Sequence, residues 1–426
     1  MTPPNTPVRS LGKRRASEGS LLRAALHKRA DALGGVAVAF LCILPFHDGF
    51  SFWMETRAGG VVPTAGASIA RGVWKDLSQV PTFMGEERAE FPGANDLFGD
   101  IDGLEAGPGE SVYVVDRLAH QVFQLDSLGK VLRVLGGAGN GPGELADPCC
   151  PVVVGDSILW VSSPRGRRVD GFPIEPSTGP PSRISLRGAS GVPTGDRVGV
   201  RRDGIMVVNT IESSAPGVYK LVMLHVGQDG VLRRTFRPPP FSDSSGFAIG
   251  RWPDGREIPL SIPHGPTYIR VLGRDGSFAQ VVTSEYHVRH FESDGSLRRV
   301  ITRNVAGRAL TRQERDDVEA RRKQLDVSVR QDGARITHFP DPTHAPVLTD
   351  VWFDSEMRLW VETDTANAGM RIADVYGRDG TLVFRAHWPM SVDLADGAMR
   401  GTAAWGVRTT SLGEESVVRL VFKRVQ

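Results

Sequence analysis

The sequence is poor in cysteine: 3 in 426 residues, namely Cys42 and the adjacent pair Cys149 and Cys150. Without a spaced pair, a zinc site of the Cys-x-x-Cys type is excluded. In an oxidising compartment the adjacent pair can close a strained vicinal disulfide. The plainer reading is two small apolar side chains at the entry to a strand. Charge of one sign is also lacking, since 51 Lys and Arg face 49 Asp and Glu for a net +2. No global basic field gathers nucleic acid, so no nucleic-acid partner is expected. Enzyme signatures are missing too. There is no Gly-x-Ser-x-Gly, no Walker-type loop and no His-Glu-x-x-His, so three common enzyme classes lose their usual mark. The run at Asn140 to Gly143 matches a phosphate-cradling loop in glycine count only. No Lys-Ser/Thr and no helix follow it, so it reads as a turn.

Turn formers are plentiful instead, with Gly 49 and Pro 29 spread through a chain that is 40% hydrophobic. That mix favours many short strands over long helices. The length suits two or three average domains or one large all-β domain.

One apolar run stands out, residues 32–46, interrupted only by Gly34, Gly35 and Pro45. Residues 1–30 carry Arg9, Lys13, Arg14, Arg15, Arg23, Lys28 and Arg29 against the single acid Glu18. A basic flank followed by an apolar core is the layout of an export signal. The run is shorter than the roughly 20 residues of a full span. Extending it to Trp53 makes a tilted signal anchor. The expected division is a basic cytoplasmic flank at 1–31, a signal or signal-anchor segment at 32–53 and a linker at 54–73. The remainder crosses, placing it in the periplasm or outside the cell, or tethered to the membrane by 32–53 alone. The competing reading is a buried core helix, which seldom carries seven cations directly before it. Ala65-Gly66-Ala67 has a cleavage-like pattern but lies further from the apolar core than usual. Bulky Phe40 and Leu41 before Cys42 argue against lipidation.

From Trp74 onward one unit recurs. The clearest copy is ESVYVVD at 110–116, HQVFQLD at 120–126 and GKVLRVL at 129–135. Further copies read DSILWV (156–161) with RVDGF (168–172); DGIMVV (203–208), KLVML (220–224) and DGVLRRTF (229–236); DGSFAQVV (275–282), YHVRHF (286–291) and DGSLRRVI (294–301). The last two are MRLWV (357–361), RIADV (371–375) and DGTLVF (379–384), then GTAAWGV (401–407) and SVVRLVF (416–422). Asp229-Gly230, Asp294-Gly295 and Asp379-Gly380 are read as tight hairpins joining second and third strands, with positive φ supplied by Asp-Gly. A sheet that is apolar on both faces cannot bury itself, so copies must stack around an axis. The expected fold is all-β: a six-bladed β-propeller over 74–426, with 74–83 supplying the strand that closes the ring. Two stretches break the rhythm. Residues 238–262 read as a long loop or flap. Residues 310–327 read as a short, mostly exposed helix, opened by a capping box of Thr311 and Glu314.

VYVVDR at 112–117 followed by GGAGNGPGEL at 136–145 resembles NHL-type repeats. The order of pieces also resembles exported bacterial proteins of the six-bladed β-propeller family. It includes Tyr286 before Asp294-Gly295, the helix after Leu310, the lead into Leu359-Trp360-Val361 and a final strand ending at Arg424. The resemblance covers about 74–425. It implies the fold and no activity, because that family has no common one.

Function in such rings sits at the channel mouth. His287 and His290 are three apart on a strand and face opposite sides. His264, His338 and His344 lie in inter-blade loops and can meet there. Asp100, Asp102 and Asp350 sit near inner-strand starts, where calcium ligands would be placed and where turn chemistry also uses Asp. No catalytic or metal-binding residue is assigned and no cofactor is predicted, with Ca²⁺ or Zn²⁺ the ions such a site would take. The expectation is a monomeric, non-enzymatic binding or scaffold propeller that takes a protein, peptide or glycan at a loop face. The alternative is a metal-dependent lyase or hydrolase at the central channel.

Overall fold

The computed structural model describes residues 80–425, apart from 92–97, 165–166, 187–191, 194–197, 202, 216–217, 240–246, 256, 332 and 365–368. The expected cytoplasmic flank, export segment and linker lie outside the described residues. Among the described residues no helix is long and apolar enough to cross a membrane.

The first described strand, β1 (Thr82–Phe91), is followed by antiparallel sheets laid down in sequence order. These are β2 (Ile101–Ala106) to β3 (Val112–Asp116), β4 (Gln121–Leu125) and β5 (Val131–Gly136), then β6 (Cys149–Val154) to β7 (Ile158–Ser163), β8 (Arg168–Pro173) and β9 (Ser182–Ser185). Next, β10 (Val192–Pro193) and β11 (Gly199–Val200) both pair with β12 (Met206–Ala215), which leads to β13 (Val218–Val226) and β14 (Leu232–Phe236). After β15 (Ala248–Arg251) and β16 (Glu257–Leu260) comes the sheet of β17 (Tyr268–Leu272), β18 (Phe278–Val282), β19 (His287–Phe291) and β20 (Leu297–Thr302). Helix α1 (Arg312–Gln331) and β21 (Arg335–His338) precede β22 (Leu348–Phe353), β23 (Leu359–Thr363), β24 (Met370–Tyr376) and β25 (Leu382–Pro389). The chain ends with β26 (Asp393–Arg400), β27 (Ala403–Thr409) and β28 (Glu415–Val425).

The first strands of successive sheets lie side by side, β2 against β6 and β26, and β22 against β17 and β26. They therefore surround the axis, and later strands step outward. Apolar faces meet between neighbouring sheets, as in the cluster of Val115, Val122, Val153, Leu159 and Val161. The joint of β22–β25 with β26–β28 buries Trp352, Trp360, Trp388 and Phe384. The chain is an all-β propeller.

Strand β1 closes the circle. It pairs antiparallel with β28 as the outermost strand there, and Thr82 to Met84 also run parallel to Arg385 to His387 of β25. The closing strand thus overlaps the expected 74–83 only at its end. Gly85 eases the close packing here, since a Cβ would lie 3.2 Å from the Phe422 ring and from the Trp388 side chain.

Three expectations need correction. The Asp-Gly turns join third and fourth strands, because each sheet carries an inner strand ahead of those the repeat marks; in β22 a bulge breaks its alternation, while β17 pairs without one. In these turns only glycine has positive φ, with Gly230 at 77°, Gly295 at 89° and Gly380 at 86°. The aspartate instead accepts from the amide two residues on, as Asp294 does from Ser296 at 2.9 Å. These are wider turns with a glycine bulge, so the pairing shifts register beside each one.

The two insertions are also one body. β15 sits between β16 and β21, so 238–262 holds two strands whose partner comes from after the helix. α1 is 20 residues long and buries Val318, Leu325 and Val329. Leu325 packs on Ala248 and Ile262. The capping box forms: the Glu314 carboxylate accepts from the Thr311 amide at 2.8 Å and the Thr311 hydroxyl accepts from the Glu314 amide at 3.2 Å.

Candidate functional site

Because strands alternate in direction, every turn between first and second strands lies at the same end of the ring. That end is tied across the axis. Arg274, in the β17–β18 turn, pairs with buried Glu105 of β2 and donates to the Val153 carbonyl of β6 at 3.1 Å. Arg400, closing β26, holds Asp156 of the β6–β7 turn with two bonds of 2.8 and 2.7 Å. Glu356 of the β22–β23 turn accepts from the Gly401 amide at 2.9 Å. Side chains from distant sheets therefore bridge this end.

The opposite end, where first strands begin, is built differently. Its inner strands carry irregular pairing, between Ile101 and Leu104 of β2, Cys149 and Val152 of β6, and Leu348 and Asp350 of β22. Such bulges re-aim side chains out of the ladder and are frequent beside functional sites. Left-handed backbone gathers here too: His120 at φ 56°, Asp147 at 56° and Cys150 at 58°. Non-glycine residues are held in that region only where their surroundings impose it. The Asp147 amide donates to His120 Nδ1 at 3.3 Å. On β2, Gly103 (φ 115°) passes so close to Pro151 that a Cβ would sit 2.9 Å from its ring.

Three arginines at this end each stand among several acids. Arg117 Nε lies 3.0 Å from Asp100 and 3.3 Å from Asp102, and its Nη1 lies 4.0 Å from Asp147. Arg371 Nη1 lies 3.3 Å from Glu362, and its Nη2 lies 3.5 Å from Asp393. Asp350 is the cross-strand neighbour of Glu362. Arg308 bonds Glu314 at 2.6 Å and Asp364 at 3.0 Å. His264 stands beside that pair, Nδ1 3.6 Å from Glu314 and Nε2 3.6 Å from Asp317. Each of these arginines thus gathers acids from more than one place in the chain, whereas Arg168 and Arg183 share the single acid Asp170. Burial lowers the charge that two of the gathered acids carry. Burial, reinforced by Asp393 and opposed by Arg371, pushes Glu362 up to about 7. Burial also raises Asp364. Glu314 moves the other way, held down to about 2 by its bond from Arg308.

The sequence candidates separate on this frame. Asp100 and Asp102 come together, but around the Arg117 guanidinium, which takes the place a cation would occupy. Asp350 belongs to the Arg371 group on the far side of the β26–β28 sheet. His264 joins the helix acids, His338 lies on β21, and His344 bonds its neighbour Thr343 at 2.9 Å. Among the described residues no group of three or more His, Cys, Asp or Glu side chains is arranged to hold a metal ion. His290 is buried, its ring 5.3 Å from Phe353, and burial beside Arg299 and Arg298 lowers its pKa to about 3. His287, on the other face, is half-buried.

The glycine-rich run at 136–145 presents carbonyls rather than amides. Arg168 donates to Gly139 O and Glu144 O at 3.0 and 2.9 Å, and Arg183 donates to Asn140 O and Gly141 O at 2.6 and 2.8 Å. Buried Asp170 aligns both arginines, at 2.9 and 2.6 Å. The loop is a clamped joint between sheets. Sequence reasoning missed Arg117, Arg371, Arg308 and Glu362, whose partners lie on other strands, turns or the helix. The position of Arg117 just after the strand end VYVVD was the single local signal.

No protein-family model matches the chain, and no curated protein matches it in sequence. Among solved structures it is similar to virginiamycin B lyase from Staphylococcus aureus, at 13% identity and TM-score 0.40, covering 80% of this chain and 99% of that one. It is similar to a member of the DUF4221 family from Bacteroides vulgatus, at 11% identity and TM-score 0.48, covering 82% and 99%. It is also similar to the calcium-binding protein regucalcin from Agrobacterium tumefaciens, at 10% identity and TM-score 0.37, covering 80% and 96%. None of these likenesses transfers a residue role to this chain.

Proposed function

We propose that the chain is an exported, monomeric, non-enzymatic binding propeller of six blades with NHL-like repeats, and that its acidic mouth takes a cationic segment of a protein or peptide. Residues 32–53 are its signal or membrane anchor, and the ring works in the periplasm or outside the cell. Six blades follow if β22–β25 and β26–β28 with β1 count separately within their continuous sheet. The order of strands supports that count, since each half is a four-stranded antiparallel unit in its own right.

The observation that carries the reading is the gathering of Asp100, Asp102 and Asp147 around Arg117 and of Glu362 and Asp393 around Arg371 at one end of the ring. Each arginine holds its carboxylates in fixed positions. A preorganised acidic concavity draws in and orients a cation better than scattered surface acids do. The tied opposite end leaves this mouth as the accessible face of the channel.

The test is a titration with hexalysine and with hexaglutamate at low and high salt. Saturable binding of hexalysine that weakens as salt screens the charges is the expected result. Equal binding of both peptides, no binding, or salt-insensitive binding of a neutral glycan instead, would overturn the cationic assignment.

A further inference from the structure

We propose a second binding site, at the tied end of the ring and independent of the acidic mouth, that takes a compact apolar or aromatic group carrying one carboxylate. The site is a cavity of about 340 Å³ between β25 and the β1–β28 edge. That volume lies within the range of small-molecule pockets.

Its walls are aromatic. Phe83, Trp360, Phe384 and Phe422 line it, with Met399 beside them. The rings brace one another: Phe83 and Phe384 are 4.9 Å apart, and Trp360 meets Phe384 and Phe422 edge-on at 5.6 and 5.7 Å. Edge-on and tilted pairs are the favoured geometries. The cavity is therefore formed before any ligand arrives and needs little ordering on binding.

Charge selects the ligand class. An aromatic box alone would suit a quaternary ammonium. Here two arginines line the wall, which disfavours a cation. Arg358 is already engaged: it bonds Asp354 at 2.6 Å and the Gly401 carbonyl at 3.2 Å, and its guanidinium lies over the Phe384 ring. Arg424 is exposed, two residues beyond Phe422 on the same face of β28, and no ion pair involves it among the described residues. Its guanidinium is the donor at the rim, placed to meet a carboxylate whose apolar body lies against Phe83, with Trp360 buried behind the wall. Ring closure shapes this joint: among the described residues, it has a fourth strand delivered from the other end of the sequence, running parallel to its neighbour.

The test uses the full chain and 4-phenylbutyrate, followed by calorimetry and by the shift in Tm. Saturable binding is expected. Arg424→Gln, a surface change, should weaken it by about tenfold, the worth of one charge-assisted hydrogen bond. Val383→Trp, at an exposed rim position, should fill the cavity and abolish it. The uncharged alcohol 4-phenylbutanol should bind the native chain as weakly as 4-phenylbutyrate binds Arg424→Gln. Asp102→Asn, at the opposite end, should leave it unchanged, so failure of the cationic-ligand reading does not touch this one. No saturable binding to the native chain, or equal affinity in native, Arg424→Gln and Val383→Trp proteins, would refute the site.

Discussion

At the tied end of the ring, Arg274 and Arg400 each reach one acid on a distant sheet. At the mouth, Arg117, Arg308 and Arg371 each gather two or more acids. The same repeat builds both ends. The difference lies in turn length and in bulges. Short turns at the tied end hold arginines over the axis, while bulged strand entries at the mouth turn acids toward it. Paired buried charge serves the frame, and partly wet acid clusters are what a partner can use.

The largest effect should come from breaking the tied end. Arg274→Met leaves Glu105, 1% exposed, as an uncompensated buried carboxylate. Loss of one partner from such a pair costs about 3–5 kcal/mol, to be read from the midpoint of urea denaturation. An effect below about 1 kcal/mol, the range of surface pairs, would place this bridge in solvent.

Next is pH. Glu362, raised to about 7, stabilises fully below its unfolded value near 4.5, and that stability is lost as pH rises through 7. His290, lowered to about 3, stabilises above its unfolded value near 6.5, and that stability is lost as pH falls toward 3. Each changes stability by up to about 1.4 kcal/mol per pH unit within its window. The windows overlap between 4.5 and 6.5 with opposite slopes, so these two contributions offset each other there. Glu362→Gln should make stability rise with pH in that interval, and His290→Gln should make it fall. Unchanged slopes in both variants would contradict these assignments.

A smaller loss, about 1 kcal/mol, is expected for Thr311→Ala, which removes one half of the capping box while Glu314 keeps its bond from Arg308. Thermal melting followed by circular dichroism reads it. The smallest belongs to the exposed Arg400–Asp156 pair. Arg400→Gln should cost about 0.2–1 kcal/mol and vanish in high salt.

The legible parts of this fold are the second and third strands, where apolar residues cluster in short runs, as in VYVVD and HQVFQ. The Thr311–Glu314 cap was legible because its four-residue signature is local. The inner strands were not. Bulges at Asp102-Gly103 and Cys150-Pro151 break the period of two that identifies a strand. The β15–β21 pairing was hidden because its two strands are separated by a whole sheet and a helix. The mouth was hidden for a similar reason. Asp100, Asp350 and Glu314 each look like ordinary turn or cap residues. Their meaning comes from Arg117, Arg371 and Arg308, which only the folded ring brings to them.

Backbone hydrogen exchange, with and without hexalysine, tests most directly that the mouth and not the tied end is the binding face. The account predicts slowed exchange at 100–103, 117–120, 147–150 and 349–350. Protection confined to 153–157, 273–277 and 399–402 would contradict it.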